Sequence, residues 1–431
     1  MKTILHIILL SILCFSTRAQ MQVPGKKQDS LIVLMNGRAH LGNGEVIENS
    51  AIGFENGKII FIGDARSLRL DLSKARIIDA FGKEIYPGLI TANSTLGLRE
   101  IEMVRATNDF SEVGLANPCI RTIISYNTDS KVTPTVRCNG ILLAQIVPQG
   151  GVISGQSSIV QLDAWNWEDA AYKTDEGIHL NWPSYFSYQY DENGDGTVSI
   201  NSNYLKDIET IKEYLLRAKA YCQTSHIEKD LQSEAMCGLF NEAKKLYIHA
   251  NLATEINAAI LMAHELGLTC VIVGGHEAWK CTRILKEYQV PVILHRNQAL
   301  PPTADDEYDI SYKTPAILES AGILYCNSMN NFWQDRNLPF NASQPVPYGL
   351  DKELALKSVT YNAAKILGIA DRAGTLETGK DATIIISEGD VFDMRTNKIT
   401  HAFIQGRQID LNNKQKDLYQ IYLKKYGLGN K

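Results

Sequence analysis

A repeat of short apolar strands and amphipathic helices in the second half of the chain limits the fold more than any other feature. Four runs with the character of buried strands occur between residues 245 and 328, namely KLYIHAN, TCVIVGG, VPVILHRN and ILYCNS. Three segments with apolar residues at helical spacing separate them, namely TEINAAILMAHELG, WKCTRILKEYQ and YKTPAILESAG. Strands that alternate with helices form a parallel sheet. The sequence therefore predicts an α/β protein with a (β/α)8 TIM barrel over residues 83–373, whose functional groups lie at the carboxyl ends of the strands.

Both ends of the chain have a different, all-β pattern. Residues 30–64 alternate apolar and polar side chains and contain three Asn-Gly pairs, which are typical of hairpin turns. The same alternation returns in GKDATIIISEGDVFDMRTNKITHAFIQGRQI, near the other end. We therefore expect residues 28–82 and 374–411 to pair into one small β-sandwich domain beside the barrel, followed by a C-terminal helix or tail over residues 412–431.

Residues 1–19 have the features of a secretory signal peptide. Lys2 is followed by ILHIILLSILCF, an apolar run too short to remain as a membrane span, and small residues precede Gln20. Cleavage near Ala19/Gln20 predicts a secreted or periplasmic protein, and later runs are too short to predict a membrane span. Removing Lys2 and Arg18 changes the formal charge from −5 to −7. A mildly acidic surface argues against binding to nucleic acid.

The cysteines predict free thiols. Seven of the eight cysteines remain after the leader, an odd number, and they include no Cys-x-x-Cys pair. Most have apolar neighbours, which is typical of buried thiols. We expect them to be free rather than to form a disulfide framework.

Three longer segments resemble one family. They are KEIYPGLITANSTLGL, GILLAQIVPQGGVISGQSSIVQLDAW and VTYNAAKILGIADRAGTLETGKDATIIISEGDVFD. Together they resemble the amidohydrolase superfamily, and in particular its imidazolonepropionase-like and dipeptidase-like branch. The resemblance covers nearly the whole chain after the leader. It implies a hydrolase that acts on carbon–nitrogen bonds, other than peptide bonds, in a small-molecule substrate.

The resemblance also implies metal ligands at the strand ends. Amidohydrolases hold one or two divalent metals, which lower the pKa of a bound water. His249 and His276 match the histidines after the fifth and sixth strands. At the mid-barrel position Gln161 stands where related sequences place lysine, and Asp163 shares its strand face as a candidate carboxylate ligand. Further candidates are Glu168 and Asp169.

Other ligand positions of the family carry neutral residues. Asn93 and Thr95 replace the two histidines of the His-x-His motif, and Thr91 replaces the aspartate before it. Asn330 falls at the position of the catalytic aspartate after strand 8, and we expect the nearest acid, Asp335, on the following loop. Amide and hydroxyl oxygens are weak zinc ligands, although they hydrogen-bond well to a substrate or a water. The sequence therefore predicts at most one zinc-like ion.

A basic pair joins the predicted substrate contacts. His295 and Arg296 end the seventh strand and point to the same mouth, where a guanidinium can bind a substrate carboxylate. With these, the predicted substrate-binding residues are Asn93, Thr95, His295 and Arg296.

Two functional hypotheses stay open at this point. In the first, the chain is a hydrolase with one zinc-like ion on His249, His276 and a carboxylate. In the second, it is a weak or inactive pseudo-enzyme without metal, which binds a small ligand or pairs with an active relative. The sequence leaves the substrate open, and it leaves open whether the chain forms a homo-oligomer or pairs with a related amidohydrolase.

Overall fold

The computed structural model describes residues 22–68, 72–190, 196–224, 228–301, 303 and 305–428. The predicted signal peptide lies outside the described residues. Within them, the strands are β1 (Ile32–His40), β2 (Val46–Glu55), β3 (Lys58–Asp64), β4 (Arg76–Asp79), β5 (Glu84–Pro87), β6 (Leu89–Ser94), β7 (Ile141–Ile146), β8 (Ile153–Gln161), β9 (Ala171–Asn181), β10 (Phe186–Tyr190), β11 (Gly196–Ile200), β12 (Lys245–Ala250), β13 (Cys270–Gly274), β14 (Val292–Leu294), β15 (Tyr325–Asn327), β16 (Ile384–Ser387), β17 (Ile399–Ile404) and β18 (Arg407–Gln408).

The α-helices cover the connections between these strands and the end of the chain. They are α1 (Thr122–Ser125), α2 (Thr133–Arg137), α3 (Trp167–Ala170), α4 (Tyr204–Cys222), α5 (Leu231–Met236), α6 (Ala253–Leu266), α7 (Thr282–Glu287), α8 (Ile310–Ser320), α9 (Leu338–Ser343), α10 (Lys352–Ser358), α11 (Tyr361–Leu367) and α12 (Lys414–Lys425). None of the described helices is both long and apolar enough to cross a membrane.

Eight strands form a nearly closed barrel in the order β6-β7-β8-β9-β12-β13-β14-β15. Their runs of branched apolar residues are buried, and side chains such as Ile90, Leu143, Val271 and Ile293 fill the interior. The last strand returns to the first, where the hydroxyl of Ser94 donates a 3.0 Å hydrogen bond to the carbonyl oxygen of Asn331. The barrel expected from the strand–helix repeat is therefore present, together with a second domain.

The third barrel strand departs from the expected (β/α)8 pattern, because β8 runs antiparallel to both neighbours. Ile146 pairs with Ser158 at the end of β7, and Leu143 pairs with Gln161 nearer its start. The connection between these strands spans only residues 147–152, too few for the crossover that a parallel strand needs. The end of β8 therefore lies at the amino-terminal edge of the seven parallel strands.

The small domain joins both ends of the chain, as expected, but in one continuous sheet. Its main path runs β18-β17-β16-β5-β1-β2-β3, and β4 pairs with β1. The two ends meet where Ile385 of β16 pairs with Tyr86 of β5. This curved eight-stranded sheet surrounds an apolar core that contains Leu34, Phe54 and Phe403.

One pair of cysteines contradicts the expectation of free thiols. Cys222, at the end of α4, forms a disulfide with Cys237, which follows α5. The two residues are 15 positions apart and their Cα atoms are separated by 5.5 Å, a normal distance for a disulfide. A spacing of this kind could not be distinguished from two buried thiols before the packing of α4 against α5 was known. The free thiols are those of Cys119, Cys138, Cys270, Cys281 and Cys326.

Candidate functional site at the barrel mouth

Four histidines come together at the carboxyl edge of neighbouring barrel strands. His179 lies near the end of β9 and His249 near the end of β12. His276 follows β13 by two residues, and His295 follows β14 directly. Because these four strands are parallel neighbours, their carboxyl ends present the imidazoles to the same opening.

His179 and His249 form a hydrogen-bonded pair. Nδ1 of His179 lies 2.9 Å from Nε2 of His249. His179 is fully buried, and its ring stacks on Tyr247 with 4.8 Å between centroids. Its Nε2 atom is buried without a hydrogen-bond partner among the described residues. Burial lowers the pKa of His249 to about 4, and burial followed by the neighbouring imidazole lowers the pKa of His179 well below its ordinary value.

His276 and His295 form a second, perpendicular pair, with 5.5 Å between ring centroids. Burial, followed by the charges of His276, His249 and Arg296, lowers the pKa of His295 to about 3. His295 thus lies within electrostatic reach of both predicted ligands. His276 is exposed at the rim, where partial desolvation lowers its pKa against the opposing effect of Glu277. At neutral pH these rings are uncharged.

A polar cavity of about 360 Å³ opens beside the second pair. Its polar lining consists of His276, His295, Arg296, Asn330, Asn331 and Gln334. Arg296 provides the positive charge of this lining, and amides provide much of the rest. The cavity therefore suits a small molecule with hydrogen-bonding groups and one site of negative charge.

The predicted residues Asn93 and Asn330 meet at the seam between the first and last strands. Nδ2 of Asn93 donates to Oδ1 of Asn330 over 3.1 Å. Both residues have left-handed backbone, with φ of 53° and 48°, a region that asparagine tolerates better than most residues. The backbone N–H of Asn93 donates to Gln145, and its own Oδ1 is buried without a protein partner among the described residues.

Thr95 lies in the same seam but is turned into the protein. Its backbone N–H donates to the carbonyl of Asn331 over 3.2 Å, and its side chain is 2% exposed. Thr95 is therefore buried beside the mouth and does not contribute to the lining of the cavity.

Asp335 lies in the segment that follows the last barrel strand, as expected, but this segment is buried there. Asp335 is completely buried in a short 3-10 turn, and its Oδ2 shares a short hydrogen bond with the hydroxyl oxygen of Ser94. Burial raises the pKa of Asp335 well above its ordinary value, although Ser94 and Thr91 lower it in part. Asp335 thus favours its protonated form.

Asp163 is not brought together with the histidines. Because β8 is antiparallel, Asp163 lies at the opposite edge of the barrel. Its carboxylate pairs with Arg137 at 2.6 Å and accepts the backbone N–H of Gly25 at 2.8 Å. The alternatives Glu168 and Asp169 belong to the short helix after β8 and lie at the same far edge. The predicted mid-barrel ligand therefore has a structural role, and the error came from the direction of one strand.

Sequence reasoning missed two residues of β9, His179 and Glu176. Glu176 is 3% exposed and accepts hydrogen bonds from Gln145, Ser157 and Tyr247, at 2.7, 2.5 and 2.7 Å. These bonds connect the buried carboxylate to the neighbouring barrel strands β7, β8 and β12. The only available signal was a histidine and an acid in a strand-like segment of ordinary composition.

The donor set does not match the metal site that the resemblance implies. Within the described ranges, no group of three His, Cys, Asp or Glu side chains is placed to hold a metal ion. Catalytic zinc normally has three protein ligands. The nearby carboxylates of Glu176 and Asp335 are already engaged by other side chains. We therefore derive no chemical step through a metal.

The sequence and fold are similar to those of known amidohydrolases. The Amidohydrolase family matches residues 310–409. Imidazolonepropionase of Thermoplasma volcanium is 23% identical over 358 residues, which cover 80% of this chain and 85% of that protein. Imidazolonepropionase of Rhizobium rhizogenes is 24% identical over 395 residues, covering 82% of this chain and 90% of that protein.

Among solved structures, an amidohydrolase from Thermotoga maritima has the same fold. Its TM-score is 0.74 at 23% identity, and the match covers 88% of this chain and 99% of that one. The barrel, the second domain built from both chain ends and these sequence matches agree with one another. The family match, the two imidazolonepropionases and the solved amidohydrolase together support the amidohydrolase superfamily for this chain.

Proposed function

We propose that this protein is an exported hydrolase that cleaves a carbon–nitrogen bond, other than a peptide bond, in a small molecule bound at the barrel mouth. The observation that carries the proposal is the group of four uncharged imidazoles at the carboxyl edge of an amidohydrolase barrel. Strand ends of this kind are where barrel enzymes place their chemistry.

His295 is the best candidate for the base. It lines the cavity, and its buried Nε2 has no hydrogen-bond partner among the described residues. A pKa of about 3 keeps it unprotonated at neutral pH but also makes it a weak base, so the step needs the transition-state stabilisation that Arg296 would supply. In the proposed step His295 accepts a proton from the attacking water as the water oxygen bonds to the carbonyl carbon. The resulting imidazolium is a strong acid, so it returns the proton to the leaving nitrogen as the carbon–nitrogen bond breaks.

Arg296 is the best candidate for binding the negative charge of the reaction. It adjoins His295 in the cavity lining, so its guanidinium is available to the carbonyl oxygen of a bound amide. A positive group at that point stabilises the oxyanion of the tetrahedral intermediate more than the neutral substrate. Asn330 and Gln334 supply amide groups that orient the substrate.

Hydrolysis of a panel of small cyclic and acyclic amides tests the proposal. His295→Ala is expected to lower kcat/KM by about 100-fold or more, because it removes the general base. The acid limb of the pH profile should lie below about pH 4, since the pKa of His295 is about 3. His264→Ala is the matched control, because His264 packs against Tyr288 outside the barrel mouth. Equal activity of wild type and His295→Ala would refute the assigned base.

A second candidate is a protein that binds a small ligand with weak or no turnover, alone or beside an active relative. Asn330 favours it, because an amide at the position of the family aspartate cannot accept a proton and is instead bonded to Asn93. On this reading the metal site is degenerate. Calorimetric binding of an amide that the protein does not hydrolyse would favour this candidate over the first.

Metal analysis of the purified protein bears on both candidates. No three of the described histidine, cysteine, aspartate and glutamate side chains are placed to share one ion, so zinc should bind too weakly for stoichiometric occupancy. About one equivalent of zinc that disappears in His249→Ala would instead restore a mononuclear metal hydrolase. If the wild type binds no zinc, His249→Ala should bind none either.

Export to the periplasm or the cell exterior is part of the proposal. The predicted signal peptide motivates it, and the Cys222–Cys237 disulfide supports it independently, because structural disulfides are typical of oxidising compartments. Fractionation of the native host should find the protein outside the cytoplasm. Cys222→Ser should lower the free energy of unfolding by about 3 kcal/mol, as estimated for a loop of about 15 residues, with Cys119→Ser as the control.

A further inference from the structure

Helix α12 has apolar side chains that none of the described residues of its own chain covers. Over the whole length of the helix no residue is buried, and Tyr419 and Ile421 are 60% and 61% exposed. The helix is attached to the barrel near its start, where the hydroxyl of Thr135 donates to Gln415 over 3.1 Å. An isolated helix of twelve residues is marginal in water, so α12 needs a packing partner.

The helix is also basic. It carries one acid, Asp417, against four lysines, which are Lys414, Lys416, Lys424 and Lys425. Its exposed apolar and aromatic residues, with those just after it, are Leu418, Tyr419, Ile421, Tyr422, Tyr426 and Leu428. The partner surface should therefore combine apolar side chains with negative charge.

Residues 99–115, which we call the mouth loop, have that character. The loop follows β6 and exposes large apolar side chains, including Met103 at 92% and Val113 at 80%. Ile101, Val104 and Leu115 are exposed as well. Its charged residues are four acids and two arginines, namely Glu100, Glu102, Asp109, Glu112, Arg99 and Arg105.

The two surfaces begin at opposite edges of the barrel. The mouth loop follows the carboxyl end of β6. Helix α12 is attached through Asn413 to Cys138, which lies between α2 and the start of β7 and therefore at the amino-terminal edge. From there its first turn follows α2 towards Lys131, whose backbone N–H donates to Glu100 of the mouth loop over 3.3 Å, yet the apolar side chains of both surfaces stay exposed.

We propose that two copies of this chain form an antiparallel dimer in which α12 of each packs on the mouth loop of the other. Opposite charge and matching apolar character favour this contact over two helices or two loops, which would face like charges. A twofold axis makes the contact twice and leaves no helix or loop open, whereas head-to-tail addition would continue into a filament. Two contacts also help the interface to reach about 800 Å² per partner, the usual size of a stable one.

Variants with reversed charges test this arrangement. Their dimer Kd is measured by sedimentation or light scattering across micromolar concentrations. The wild type is expected to be a dimer that weakens with salt. Lys424→Glu with Lys425→Glu should raise the dimer Kd by about tenfold or more, and so should Asp109→Lys with Glu112→Lys. Combining all four substitutions should bring the Kd back to within about threefold of wild type.

Matched controls separate this contact from a general effect of charge. Lys206→Glu with Lys286→Glu reverses two exposed lysines elsewhere and should leave the Kd unchanged. All changed positions are exposed, so circular dichroism and melting should match wild type. A monomeric wild type, a dimer insensitive to either pair, or a fourfold variant that stays monomeric would each overturn the proposal. Binding of the monomeric protein to anionic lipid vesicles through α12 would overturn it as well.

Discussion

The two ends of the barrel use charge in opposite ways. At the amino-terminal edge, buried ion pairs and charged hydrogen bonds hold the small domain against the barrel. Arg137 pairs with Asp163 within the barrel at 2.6 Å, Arg407 of β18 donates to the carbonyl oxygen of Asp163 at 3.1 Å, and Tyr172 of β9 donates to Asp381 of the small domain at 2.7 Å. His40 of β1 contacts the carboxylate of Glu353 on α10 at 2.8 Å.

At the carboxyl edge, the facing groups are mostly neutral. Burial keeps the imidazoles uncharged, Asn93 and Asn330 bond to each other, and the acid Asp335 favours its protonated form. A buried charge needs a permanent partner, whereas neutral polar groups can exchange partners when a ligand enters. The comparison indicates that fixed charge serves assembly of the two domains, whereas the groups at the mouth are neutral and can exchange their hydrogen-bond partners.

The largest expected effect comes from removing the buried ion pair between Asp163 and Arg137. The side chain of Asp163 is 2% exposed and that of Arg137 is 5% exposed. Asp163→Ala leaves a buried guanidinium without its partner and should lower the free energy of unfolding by about 3–5 kcal/mol in urea titrations. Glu168→Ala, an exposed acid at the same edge, should change it by less than about 0.5 kcal/mol. Loss of ligand binding in Asp163→Asn at unchanged stability would instead assign Asp163 to the functional site.

The next largest effect concerns His40, because two carboxylates stabilise the protonated form of its imidazole. Its ring nitrogens lie 2.8 Å from Glu353 and 2.8 Å from Glu84. Burial alone would lower its pKa, but these two carboxylates raise it above the ordinary value of 6.5. A raised folded-state pKa stabilises the protein fully below the unfolded pKa, and this contribution is lost as pH rises through the folded pKa.

His40→Gln should therefore cost about 1.5–3 kcal/mol near pH 5.5, and less above pH 8. His401→Gln is the control, because burial, followed by nearby Lys83 and Arg76, lowers the pKa of that histidine instead. A difference between wild type and His40→Gln that stays constant from pH 5.5 to 9 would show that His40 acts only by packing against Tyr86.

Much of the architecture is readable from the sequence, because strand–helix alternation and Asn-Gly turns are local signals. His249, His276, Asn93 and Asn330 are also predictable as neighbours, since strand ends in a closed parallel barrel share one edge. The direction of β8 was not readable. It depends on the short connection over residues 147–152, and one reversed strand moves Asp163 by the length of the barrel.

His179, and its contact with His249, was missed for a different reason. His179 and His249 are 70 residues apart, and only the register of β9 beside β12 brings them together. The first half of β9 carries Lys173, Asp175 and Glu176, a pattern typical of an exposed strand. The burial of Asp335 was not readable either, since an acid in a polar loop segment gives no sign that a 3-10 turn buries it beside Ser94.

Replacing neutral groups by ligands sharpens the comparison at the mouth. Asn93→His with Thr95→His restores imidazoles at the strand end, and histidine tolerates the left-handed backbone of position 93. Zinc affinity, measured by competition with a chelator, should rise about tenfold or more, equivalent to about 1.4 kcal/mol. Hydrolysis should not improve, because a reaction through zinc-bound water also needs the proton acceptor that Asn330 lacks, and the step proposed for His295 uses no zinc.

Asn36→His is a matched control for this pair, because position 36 has similar backbone with φ of 66° but lies in the small domain. It should leave zinc affinity unchanged. A fast double variant at the mouth would show that another residue already moves the proton.

The smallest expected effect is that of removing the acid of Asp335. Because its folded-state pKa is raised, the stability that this carboxyl contributes is present below its unfolded pKa of about 3.8 and declines as pH rises towards the folded value. Asp335→Asn keeps the shape and removes this decline. It should lie within about 1 kcal/mol of wild type at pH 4 and gain relative to wild type as pH increases. Ser94→Ala, which removes the hydrogen-bond donor, should cost about 1–2 kcal/mol instead. A loss above about 3 kcal/mol in Asp335→Asn at pH 7 would mean that the mouth holds a fixed charge after all, and the contrast between the two edges would fail.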